Sequence, residues 1–168
     1  SGAVLLQSET GGRAQQMNVG ARTADGDLLL FLHADTHVPE KALRSMIRVM
    51  NKHPESPGGG FLRFFDHPSW FLKMTCLFAL WRCHFKGVFY GDQAIFVRAE
   101  AFQKVGGYIE TMPYGEEVAL CLKLQKTGKM RIVLSPISSS ARRFEKRGVV
   151  RQTFIDKRLG RELIEEHR

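Results

Sequence analysis

The segment that most constrains this chain is Leu28–Pro39, LLLFLHADTHVP. Its opening five apolar residues do not alternate with polar ones and are too few for a helix. They read as a strand covered on both faces. Pro39 suits the first turn of a helix expected over Glu40–Lys52. The strand runs into His33-Ala34-Asp35, and open α/β sheets bind ligands beyond the carboxyl ends of their strands. If strand geometry persists, His33, Asp35 and His37 share one face. Three readings stay open at this point. Asp35 offers a carboxylate to a ligand, or it caps the following helix, or the H-x-D-x-H pattern holds zinc.

The rest of the chain alternates between strand and helix signals. Ala3–Gln7 reads as a short buried strand broken by Gly11-Gly12. Arg13–Thr23 has helical composition, and Asp25-Gly26-Asp27 makes a turn. His53–Gly60, HPESPGGG, reads as a loop. A helix is expected over Trp70–Phe85, a strand over Gln93–Arg98 and a short helix over Ala99–Val105, ended by Gly106-Gly107. Another helix covers Glu116–Thr127 with Gly128 as its cap, and a strand follows over Met130–Ser135. This order predicts an α/β fold with a mostly parallel sheet flanked by helices. The 168 residues suffice for one domain.

Charge and composition narrow the partners. A net charge of +8 favours anionic ones. The basic run Ala141–Arg151 belongs to no known nucleic-acid module and reads as a solvated face, so no nucleic-acid partner is expected. Three cysteines, with no C-x-x-C pair, argue against a disulfide framework and for a reducing, cytoplasmic setting. No leader-like basic region precedes an apolar core at the N-terminus. No apolar run reaches the roughly 18 residues of a membrane span. Ten of the 17 aromatic residues fall between Phe61 and Tyr90. They fill the core and an oligomer interface, or the Trp70–Phe85 helix lies at a membrane surface with Lys73, Arg82 and Lys86 beside it.

Two further motifs carry polar chemistry. Glu116-Glu117 is a paired carboxylate that can act as a general base, or simply complement the dipole at a helix start. Tyr90-Gly91-Asp92-Gln93 is a ligand loop or a plain turn.

Taken in order, GRAQQMNVGARTADGDLLLFLHADTHVP, YGDQAIFVRAEAFQKVGGY and EEVALCLKLQKTG resemble the family 2 glycosyltransferases of the GT-A fold. The branch they resemble most is the selenodomain-associated transferase 2 group, over about Gly11–Gly148. The resemblance implies a Rossmann-like nucleotide-diphospho-sugar transferase. Its strand-end Asp-x-Asp element matches His33-Ala34-Asp35, which makes Asp35, with His33, the implied holder of a divalent metal, Mn or Mg. Histidine in the first acidic position is a departure that this branch shares. The family's Glu-Asp pair matches Glu116-Glu117, with Glu117 the implied general base. Gly91, Asp92 and Gln93 match the sugar and acceptor pocket, and Arg13 and Asn18 match positions near the nucleotide.

The implied partners are a nucleotide-sugar donor and an acceptor hydroxyl, with a lipid-linked acceptor and a peripheral place at the membrane among the options. The implied reaction is inverting and metal-dependent. The family fold opens with two further strands that this chain lacks, so it is expected to be an N-terminally truncated, partial GT-A domain. Residues 1–38 then form the remainder of the nucleotide-binding half, 39–150 the acceptor-binding half, and 151–168 a helical tail. The open sheet edge predicts a homo-oligomer. The alternative is a non-catalytic remnant that binds or self-associates.

Overall fold

A computed structural model describes residues 2–8 and 11–142, together with the single positions 144, 158, 162 and 165. Apart from those single positions, the expected helical tail at 151–168 lies outside the described residues, as does most of the basic run from Ala141 to Arg151.

The element order is α1 (Arg13–Thr23), β1 (Leu28–Phe31), β2 (Thr36–His37), α2 (Glu40–Lys52), β3 (Gly58–Phe65), α3 (Trp70–Lys86), a 3-10 turn (Gly91–Gln93), β4 (Ile95–Arg98), α4 (Ala99–Lys104), α5 (Glu116–Gln125) and β5 (Arg131–Ser139). The strands form a five-stranded sheet in the order β1-β4-β3-β5-β2. β1 runs antiparallel to β4, with Leu28 opposite Arg98 and Phe31 opposite Ile95. β3 is also antiparallel to β4, and β2 to β5. Among the described strands only β3 and β5 pair in parallel.

The sheet is therefore mixed, which corrects the expectation of a mostly parallel one. A helix between two strands says only that the chain leaves the sheet and returns. It does not say at which end the chain re-enters. Here α3 and the 3-10 turn bring the chain back beside β3 in the opposite direction, so β4 fills the gap between β1 and β3.

β1 is covered on both faces, as its unbroken apolar composition requires. Leu29 and Phe31 face a core shared with Phe102, Tyr108, Leu120 and Leu124. Leu28 and Leu30 pack from the other side against a core that contains Met46 and Met50 of α2. The stretch Ala3–Gln7 is not a strand. It forms no ladder, and Val4 and Leu5 are 75% and 95% exposed. Strand propensity alone does not hold a segment that has no partner to pair with.

The triple glycine that reads as loop is the start of the central strand. A Cβ on Gly59 would stand 1.8 Å from the Arg131 carbonyl oxygen, and one on Gly60 would stand 2.4 Å from the Phe89 ring. Close backbone approach, rather than flexibility, is what selects glycine there. Gly128 is likewise a packing glycine: its Cβ would meet the Glu55 carbonyl oxygen at 2.7 Å. Its amide closes the end of α5 on the Leu124 carbonyl. Cys76, Cys83 and Cys121 are buried and unbridged. Burial pushes the Cys121 thiol up to about 12. No helix among the described residues is long and apolar enough to cross a membrane.

Candidate active site

Five residues from four separate motifs converge beside the C-terminal end of β1. Gly12, at a φ of +143° that favours glycine, turns the chain into α1 so that Arg13 is its first residue. Gly115, at a φ of +80°, does the same for α5, whose first two residues are Glu116 and Glu117. The Arg13 guanidinium lies 2.8 Å from Glu116 Oε1 and 3.8 Å from Glu117 Oε1. Both carboxylates are buried, whereas Arg13 is mostly exposed.

His33 approaches from the other side. Its Nε2 lies 3.6 Å from Glu117 Oε1, an ion-pair contact just beyond hydrogen-bond reach. This nitrogen is buried and makes no hydrogen bond among the described residues. The facing Glu117 carboxylate raises the His33 pKa against the opposing effect of burial. Burial pushes the Glu117 carboxyl up, but His33, Arg13 and the Glu117 amide at the start of α5 together hold it below its ordinary value. Glu117 is thus a buried carboxylate kept ionised.

Gly91 closes the cluster. A Cβ there would stand 2.3 Å from His33 Cε1 and Nε2 and 2.5 Å from Glu117 Oε1. Glycine is needed because two polar side chains lie against its backbone.

Asp92 and Gln93 have different duties. Asp92 Oδ2 accepts a short hydrogen bond from Arg63 Nη1, while Asp92 Oδ1 and Arg63 Nε are buried without a partner among the described residues. Burial disfavours the Arg63 charge, but Asp92 and Cys76 beside it together outweigh that and raise its pKa. The guanidinium also sits 4.2 Å above the Phe65 ring. Gln93 is buried, and its amide is satisfied inside the fold. Its Oε1 accepts from Arg82 Nη2 at 2.6 Å, and its Nε2 donates to the Phe61 carbonyl at 3.2 Å. Gln93 therefore holds the 3-10 turn in place rather than facing a ligand.

Asn18 lies apart from the cluster. Its Nδ2 donates to the Tyr108 carbonyl at 2.9 Å and to Glu110 Oε1 at 2.8 Å, and its Oδ1 accepts from the Tyr108 amide at 3.0 Å. It clamps the loop that carries Tyr108 and lines a cavity of about 340 Å³ with Arg22, Phe102 and Gly107. Tyr108 packs edge-on to Phe31. Its buried hydroxyl has no partner among the described residues. Burial, with Glu117 adding to it, raises its pKa well above the usual value.

The shared strand face expected for His33, Asp35 and His37 does not form. β1 stops at Phe31, the chain turns at Ala34-Asp35, and the Thr36 amide donates to the His33 carbonyl at 3.0 Å. His33 points to Glu117, while Asp35 and His37 are exposed. The zinc reading of H-x-D-x-H loses its geometry with that turn. No group of three or more His, Cys, Asp or Glu side chains is placed to hold a metal among the described residues. The Asp35 carboxylate, exposed and without a partner among the described residues, is a lone hard oxygen donor. That fits an Mg-type ion, which needs one or two carboxylates and takes its remaining ligands from substrate phosphates and water. His33, with Nε2 turned to Glu117, does not offer that nitrogen to such an ion.

Arg63 is the residue that the sequence reading passes over. The available signal was a single cation inside the apolar strand run GGGFLRFF, where an unpaired charge is costly.

An α/β domain with a mixed sheet, an exposed aspartate in the turn after β1 and a buried, ionised carboxylate at the start of α5 has the outline of a group-transfer enzyme. The chain matches the family described as Glycosyl transferase family 2 over residues 2–104, well over half its length, and belongs to that family. Membership points to glycosyl transfer from a nucleotide sugar. No curated protein matches the chain. The matched span holds Arg13, His33, Asp35 and Gly91 and ends before Glu116, which the fold brings against Arg13.

Proposed function

We propose that this domain transfers a sugar from a nucleoside-diphosphate sugar to an acceptor hydroxyl, with inversion at the anomeric carbon and Glu117 as general base. The carrying observation is Glu117 itself: a buried carboxylate held ionised by His33 and Arg13, with the Gly91 backbone close against it. Glu117 takes the proton of the acceptor hydroxyl. The acceptor oxygen then bonds to the anomeric carbon from the side opposite the bond to phosphate, which breaks and leaves with its electron pair on the diphosphate. Arg13 is largely exposed and keeps N–H donors beyond the one on Glu116, so it can also meet phosphate oxygens. Its engagement by phosphate draws a cation away from Glu117 and raises the proton affinity of the base as the donor arrives. A divalent ion, held by Asp35 and the donor's phosphates, would neutralise charge growing on the leaving group. A second copy would add along β1, at the edge of the sheet.

Calorimetric titration with UDP and UDP-sugars, with and without manganese, tests this reading. Binding is expected to require the metal and to weaken at least about tenfold in Asp35→Ala, the worth of one charge-assisted ligand. Metal-independent binding that is unchanged in Asp35→Ala would contradict it.

A further inference from the structure

The helix α3 is apolar on two opposite faces. One face, Leu72, Cys76, Ala79 and Cys83, is buried against the domain. The other carries Trp70, Met74, Leu77, Trp81 and Phe85, which are 40% to 73% exposed. At helical spacing these five fall within about 80° of one another, a continuous stripe rather than scattered residues. Water-exposed stripes of this size mark a surface that something else covers.

Charge indicates what covers it. WFLKMTCLFALWRCHFK contains no acidic residue. Lys73 and His84 flank the stripe on one side and Lys86 lies toward the other, all exposed. A second copy docked here would set cation rows against each other with no carboxylate on either helix to pair them. An apolar stripe with two tryptophans, edged by cations and free of acids, matches the boundary between lipid tails and anionic headgroups. Arg82, the remaining cation, turns inward: it donates to Gln93 and lies 3.7 Å over the Tyr90 ring. The same helix therefore also holds the Gly91–Gln93 turn.

We propose that the outward face of α3 seats the domain on an anionic lipid surface. The inference is independent of the transfer chemistry. The chain's only two tryptophans, Trp70 and Trp81, both lie on this face, so their fluorescence reads the docking directly. Titrating the full chain with phosphatidylcholine vesicles, with and without phosphatidylserine, should give a blue shift and co-flotation that depend on the anionic lipid. Partitioning should fall about tenfold or more in Leu77→Glu/Phe85→Glu, which keeps both tryptophans, and in Lys73→Glu/Lys86→Glu, which keeps the stripe. All of these positions are exposed, and melting curves check that each variant folds. Absence of any shift with anionic vesicles would overturn the proposal. So would a blue shift that depends on protein concentration without lipid and accompanies a mass above one chain by light scattering.

Discussion

Glu117→Gln is expected to lower sugar transfer by about 10²- to 10⁴-fold, the usual worth of a general base. Glutamine keeps the side-chain volume but has no negative charge and cannot take the acceptor's proton. Folding should survive, because Arg13 retains Glu116 at 2.8 Å and the Gly91 backbone still has room for the side chain. Glu116→Gln should cost far less rate, since Glu116 acts on Arg13 and leaves the Glu117–His33 pair intact. Release of nucleoside diphosphate from the donor in the presence of acceptor, with a thermal melt of each variant, separates the two. Equal losses in both variants would remove Glu117 from its role.

Gly91→Ala should reduce the rate by about a hundredfold while costing only about 1–3 kcal/mol of stability. The new methyl would stand inside contact distance of His33 Nε2 and Glu117 Oε1. Both are ends of side chains, so they can swing aside without breaking the backbone. That limits the cost to the fold, but it moves the base from its place, and small misplacements weigh heavily on rate. Initial rates and chemical denaturation of the same variant measure the two effects separately. A loss of stability with no loss of rate would mean that Glu117 is not held where the reaction occurs.

Much of this architecture is written in local patterns. The β1 strand follows from five apolar residues too short for a helix. α2 follows from Pro39 and the spacing after it, and α5 from its acidic first turn. Arg13, His33, Gly91 and the Glu116-Glu117 pair each stand out as residue types with chemistry. Their meeting point is not local information. It depends on two positive-φ glycines, Gly12 and Gly115, that start α1 and α5 at the same spot.

Other features depend wholly on tertiary context. Strand direction is invisible in an alternation of strand and helix. Gly58–Gly60 looks like a loop because the reason for glycine lies on Phe96, Arg131 and Phe89, far away in sequence. Asn18 looks like a ligand contact but clamps the backbone of Tyr108, and Gln93 is consumed by Arg82 and Phe61. From sequence the α3 aromatics read as core and oligomer interface or as a membrane surface, since only the fold reveals which of its two apolar faces is left in water.

The central claim, that a metal–nucleotide complex binds between Asp35 and the Glu117 cluster, is tested most directly by paramagnetic broadening in NMR spectra. Substoichiometric manganese is added to the chain with UDP, and magnesium with UDP serves as the reference. The account predicts that the strongest broadening falls on the amides of His33, Asp35, Gly91 and Glu117. Broadening centred on Asn18 and Gly107, or spread over surface carboxylates without focus, would contradict it.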